Sequence, residues 1–79
     1  MKIREQEQSE QTGTIKEIRE IELADYSSAR NYVRNQNTNY KGKENGYEIY
    51  CGLWFEPEAL GRPESGERIR ARYLIPVEK

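Results

Sequence analysis

Three arginines, Arg68, Arg70 and Arg72, occupy every second position of the stretch GERIRARYLIP, residues 66–76. A period of two places them on one face of a strand, opposite Ile69, Ala71, Tyr73 and Ile75. Guanidinium groups in such a row can fork onto carboxylates or phosphates, or stack on aromatic rings. Upstream, YEIYCGLWF (residues 47–55) is the clearest strand, with Tyr47, Ile49, Cys51, Leu53 and Phe55 on one face and Glu48, Tyr50, Gly52 and Trp54 on the other. If the two strands are neighbours, Tyr50 and Trp54 share the face of the arginine row. Stacked arginine–aromatic pairs can simply stabilise a sheet, by roughly 0.5–2 kcal/mol. The same residue types also dominate binding hot spots. The expected partner-binding set is therefore Tyr50, Trp54, Arg68, Arg70 and Arg72. Arg30 and Arg34, one turn apart on a helix flank, form a second patch whose plainer reading is solvated surface.

Catalytic chemistry has little to work with. The chain contains no histidine, so a Ser–His or Cys–His pair is excluded and no general base is set near neutral pH by residue type. The single Cys51 falls on an apolar face, where a small buried residue is its expected role, and one cysteine forms no internal disulfide. Fourteen acidic residues are scattered among polar neighbours with no paired arrangement. The glycines match no phosphate-binding pattern such as GxxxxGK[ST]. The sequence gives no catalytic residue, cofactor or metal site, and the chain is expected not to be an enzyme.

Composition narrows the partners. The 79 residues are 34% hydrophobic and 34% charged, enough for one domain with a thin core. The apolar residues are large, with seven Ile, four Leu and six Tyr, and they recur at structured spacings. Thirteen basic against fourteen acidic residues leave a net charge of −1, so no global field steers the chain to nucleic acid or an anionic membrane. Residues 1–25 nonetheless carry seven acids against four bases, and residues 68–79 carry four bases against Glu78. No apolar run approaches the ~20 residues of a membrane span, and MKIREQEQSEQ is too polar for a signal peptide, so a cytoplasmic location is expected and no membrane partner. Direct nucleic-acid binding on the arginine–aromatic face is the rival reading, weakened by Glu48, Glu56, Glu58, Glu64 and Glu67 nearby. A homodimer through that face or a sheet edge is the third.

These residues need elements to hold them. MKIREQEQSEQTG (1–13) reads as a polar arm or a short edge strand turning near Gly13. TIKEIREIEL (14–23) mixes strand and helix spacing and is read as a strand with a bulge near residues 17–19. Asp25 suits a helix N-cap, and Tyr26, Ala29, Tyr32 and Val33 line one face of a short helix over residues 26–36. NQNTNYKGKENG (35–46) reads as loop, and EPEALGRPESG (56–66) as a second loop with one helical turn around Glu58–Leu60. The expectation is a single α+β domain over residues 1–79: an antiparallel sheet of three to four strands with one helix on one face, a two-layer sandwich. Its expected core is Ile21, Leu23, Ala29, Val33, Ile49, Cys51, Leu53, Phe55, Ile69, Ala71, Tyr73 and Ile75.

At IELADYSSARNYV (21–33) a strand ends in an acidic cap and leads into a short Ala/Ser-containing helix, with a hairpin to follow. This organisation, over residues 14–76, resembles that of small phage-encoded inhibitor proteins, in particular anti-CRISPR proteins directed at type I systems. The resemblance implies a non-enzymatic inhibitor that docks on a large host complex, such as a CRISPR-Cas effector, and blocks nucleic-acid binding or nuclease recruitment. It carries over no site residue. Acids such as Glu56, Glu58 and Glu64 would then be candidates to engage a basic groove of the effector.

Overall fold

The structure, a computed structural model, describes residues 1–56 and 68–77. The elements run β1 (Lys2–Ser9), β2 (Ile15–Glu22), α1 (Tyr26–Arg34), β3 (Asn39–Glu44), β4 (Tyr47–Cys51) and β5 (Ile69–Pro76). The five strands form one sheet in the order β2-β1-β5-β4-β3, every neighbouring pair antiparallel. The α+β class stands, with more sheet than the three to four strands expected. The expected loop of residues 56–66 and its helical turn lie outside the described residues, apart from Glu56. No helix among the described residues is long and apolar enough to cross a membrane.

The largest correction is at the N-terminus. The polar segment KIREQEQS is neither an arm nor an edge: β1 sits inside the sheet between β2 and β5. Alternation explains how so polar a strand can be internal. Ile3 points toward the helix and is fully buried, while Arg4, Glu5 and Gln8 find partners on the neighbouring strands and Gln6, buried, keeps its Oε1 without one. Glu5 accepts hydrogen bonds from Arg19 Nε at 2.7 Å and from the Tyr73 hydroxyl at 2.8 Å. Gln6 and Arg4 both donate to Glu17, and Arg4 also lies over the Tyr47 ring. Such pairs across strands replace apolar packing as the source of cohesion here.

β2 carries its bulge at Ile18: Glu5 pairs with Arg19 and Gln6 with Glu17, leaving Ile18 as the extra residue. β3, in the segment read as loop, forms the opposite edge and has its own bulge at Lys41, between the pairs Tyr40–Tyr50 and Gly42–Ile49. Gly42 adopts φ +116°, a conformation that side chains disfavour, and this makes the bulge possible. Bulges and charged side chains on both edges blunt edge-to-edge pairing.

Asp25 caps α1, its carboxylate accepting from the Ser28 amide at 2.9 Å, and this bond holds the carboxyl below its ordinary range. The helix ends at Arg34, two residues earlier than expected; Asn37 then turns with φ +59° and the Thr38 hydroxyl donates to the Val33 carbonyl at 2.8 Å. Ala29 and Val33 pack with Ile3, Tyr50, Tyr73 and Ile75 between helix and sheet. Tyr32 meets Tyr73 edge to face at 6.1 Å between ring centres.

A second apolar cluster, Ile49, Cys51 and Leu74 with Tyr47 against it, lies on the other face of the sheet. Here the expected core needs correction. Tyr50 pairs with Tyr73 and Cys51 with Arg72, so Tyr50, not Ile49 or Cys51, faces the helix. The helix covers the face of Glu48 and Tyr50, not the more apolar face of Tyr47, Ile49 and Cys51, so alternation pointed to the wrong side of β4. Leu53 and Phe55, expected inside, are exposed at 74% and 50%, because β4 ends at Cys51 and the chain leaves the regular ladder at Gly52. Ile21, Leu23 and Ala71 are partly buried against the helix-side core.

Candidate functional site

The arginine row lies on the sheet face opposite the helix, because its partners across the ladder, Gln6 and Gln8 on β1 and Cys51 on β4, alternate with the helix-facing residues. Each of the three arginines meets a different environment. Arg68 forks onto Glu10, with Nε to Oε1 at 2.8 Å and a terminal nitrogen to Oε2 at 2.9 Å. Arg70 directs Nε and a terminal nitrogen to Gln8 Oε1, at 3.0 and 2.9 Å, and its guanidinium carbon sits 4.4 Å from the centre of the Trp54 ring. The Arg72 side chain is only 12% exposed; its nearest carboxylate, Glu44, is 4.0 Å away, and its Nε is enclosed without a hydrogen-bond acceptor.

A further irregularity brings Trp54 to this face. Between the pairs Cys51–Arg72 and Phe55–Ile69 the first chain advances four residues and the second three. That extra residue reverses the alternation after Cys51, so Trp54 joins Arg70 although Tyr50, four residues earlier, points the other way. Tyr50 is thus separated from the arginine row: it is 5% exposed, on the helix side, with its ring 5.3 Å from that of Tyr40.

Tyr50 instead helps line a groove of about 580 Å³ between the helix and the β3–β4 hairpin, together with Tyr26, Arg30, Arg34, Tyr40 and Glu48. The two helix arginines expected as a second patch therefore share a site with Tyr50. Glu48 is the carboxylate of this groove, and the Tyr26 hydroxyl donates to it at 2.7 Å. That bond pushes the Tyr26 hydroxyl up to about 12, with burial and the charge of Glu48 adding to it. Arg30 lies 5.8 Å from the Tyr26 ring centre, and among the described residues neither Arg30 nor Arg34 has a carboxylate within salt-bridge reach. Tyr40 is exposed on the groove wall.

Sequence reasoning missed Tyr40, Lys41 and Lys43, which fell in the segment read as loop. No apolar alternation marks this segment, and the bulge at Lys41 places Tyr40 and Gly42 on opposite faces, so only the pairing with β4 reveals the strand. Glu56 is exposed, and Glu58 and Glu64 lie outside the described residues. Among the described residues no group of three His, Cys, Asp or Glu side chains is placed to hold a metal ion. Comparison with family models, curated proteins and solved structures finds no match.

Proposed function

We propose that this chain is a non-enzymatic binding module that docks stoichiometrically on a protein partner through the helix-side groove. The observation that carries the reading is the pairing of two uncompensated arginines, Arg30 and Arg34, with Tyr26, Tyr40 and Tyr50 in one open groove. Arginine and tyrosine are the types that concentrate binding energy at protein interfaces, and free guanidinium groups ask for carboxylates on the partner. In its most specific form, the partner is a large nucleic-acid-targeting host defence complex, of the CRISPR-Cas kind, which the chain inhibits by blocking nucleic-acid binding or nuclease recruitment.

The rival reading, a small nucleic-acid-binding domain on the arginine–aromatic strand face, has less support. Two of its three arginines spend their donors on Glu10 and Gln8, and Arg70 covers a face of the Trp54 ring on which a base would stack.

The test is retention of a purified type I effector complex by the tagged chain, in nuclease-treated solution, beside an Arg30→Glu/Arg34→Glu variant. One-to-one capture that prevents target-DNA binding, and that the variant loses while keeping its melting temperature, supports the reading. Capture that survives the double charge reversal removes the groove from it. Failure to capture any such complex, with DNA recovered instead in a steeply salt-dependent manner, shifts the reading to nucleic acid.

A further inference from the structure

Tyr50 is the anomaly of the helix-side groove. Its ring packs in the core with Ile3, Val33 and Tyr73, and only 5% of the residue is exposed. A phenolic hydroxyl at such depth ordinarily has a hydrogen-bond partner. The Tyr73 hydroxyl donates to Glu5 and the Tyr26 hydroxyl to Glu48, but among the described residues the Tyr50 hydroxyl makes no hydrogen bond. Nor is it sealed in. The fully enclosed side-chain atoms without a partner are Gln6 Oε1 and Arg72 Nε among the described residues, and Tyr50 lines the open groove beside Arg30 and Arg34. Its hydroxyl is thus held by a buried ring and offered to whatever enters there.

The charges of the groove are unevenly answered. Glu48 accepts from the Tyr26 hydroxyl at 2.7 Å and has Lys43 opposite it across the β3–β4 ladder. Arg30 has the Tyr26 ring but no carboxylate, and Arg34 has no carboxylate either, among the described residues. The lining residues carry two guanidinium groups against one carboxylate, a net of +1. Donors held in place beside aromatic walls are the usual makings of a site that fixes one polar group of a ligand.

We infer that the groove receives a single carboxylate, the Asp or Glu side chain of a peptide segment of the partner in which an apolar or aromatic residue neighbours the acid. The inference rests on the docking reading of this groove and names what the partner presents to it. One carboxylate brings the charge that the net of +1 calls for, and its two oxygens can accept from the Tyr50 hydroxyl and from a guanidinium at once. A phosphate group would bring about two negative charges and set the excess against Glu48. The Tyr40 ring, 52% exposed and tilted on Tyr50, gives the apolar neighbour of the acid a surface to cover. Tyr50 is then a specificity-determining residue, whose hydroxyl is satisfied only when the groove is filled.

Amide NMR of the full chain, titrated with the peptide acetyl-Ala-Glu-Phe-Ala-amide and with its Gln counterpart, tests the inference. Expected are saturable shifts from the Glu peptide at residues 26, 30, 34, 38–40, 48 and 50. The Gln peptide binds about tenfold more weakly or worse, the ratio that ~1.4 kcal/mol produces. Tyr50→Phe raises Kd for the Glu peptide about tenfold and leaves that for the Gln peptide within about twofold. Its melting temperature equals or exceeds that of the parent, because the hydroxyl has no partner to lose on removal. Equal affinity for the two peptides, or unchanged affinity in Tyr50→Phe, overturns the inference while leaving the groove a docking site. A lowered melting temperature in Tyr50→Phe overturns it too, since the hydroxyl would then be bonded within the protein. So does tighter binding of a peptide with phosphoserine in place of Glu. Absence of shifts from the Glu peptide likewise overturns it; capture of the effector complex, and its loss in Arg30→Glu/Arg34→Glu, decides the docking reading separately.

Discussion

The Arg70 guanidinium lies 4.4 Å from the centre of the Trp54 ring, and it does so because the chain gains one residue on its neighbour between Cys51 and Phe55. Without that extra residue, Trp54 would follow the alternation of Tyr50 and point to the helix side. The irregularity turns an aromatic residue away from the core and onto the arginine face, where Gln8 holds its stacking partner from behind.

Trp54→Ala removes this stack and part of a half-buried ring while leaving the helix-side core untouched. A stacked guanidinium contributes roughly 0.5–2 kcal/mol. The variant should therefore fold, with stability reduced by about 1–2 kcal/mol, which for a domain of this size lowers Tm by about 4–16 °C. Urea denaturation measures it. A loss of ~3–5 kcal/mol, the range of a fully buried aromatic, would make Trp54 core instead.

Ile3→Ala probes the placement of β1. Ile3 is fully buried among Val33, Ile75 and the tyrosines of the helix-side core. Deleting its outer methyl groups should cost about 2–5 kcal/mol, as at any closely packed aliphatic site. If the N-terminal segment were a loose arm, the cost would be near zero. The denaturation midpoint of this one variant separates the two.

What the sequence disclosed and what it hid divide along physical lines. The bulge at Ile18, the Asp25 cap and the burial of Ala29 and Val33 were legible because each depends on neighbours within one turn or one strand. The arginine face of β5 was legible for the same reason. β1 was not, because its cohesion comes from partners distant in the chain: Glu5 with Arg19 and Tyr73, Gln8 with Arg70. Nor was the facing of β4, whose more apolar side, Tyr47, Ile49 and Cys51, packs away from the helix, because the pairing of Tyr50 with Tyr73 decides it.

Two tyrosines make stability sensitive to alkali. Tyr26 is pushed up to about 12 from an ordinary 10.0 by its bond to Glu48, and Tyr73 is raised by burial first and then by its bond to Glu5. Between the unfolded and folded values the native state holds more protons than the unfolded chain, so stability falls as pH rises. The contribution is complete below pH ~10 and is lost progressively above it. Urea midpoints should decline above this point, and the decline should be shallower in Tyr26→Phe/Tyr73→Phe. An equal slope in that double variant would overturn the assignment of the alkaline loss to these two hydroxyls.

Gly42→Ala tests the edge bulge at Lys41. Space is not the obstacle, since an added Cβ would meet nothing within 4 Å. The obstacle is φ +116°, a conformation close to glycine-only, whose strain in other residues is about 1–3 kcal/mol. The chain can bear that strain, with stability lowered by the same amount, or relieve it by letting Lys41 fall back into the ladder. The second outcome would shift Tyr40 and its side of β3 by one residue, turning Tyr40 from the helix-side groove. Cross-strand amide contacts distinguish the two: retention of the Tyr40–Tyr50 and Gly42–Ile49 pairs means strain borne in place. A one-residue slip would disturb the helix-side groove, whose wall Tyr40 forms. The expected result is the retained register, since Tyr40 packs on Tyr50 and a slip would forfeit that contact.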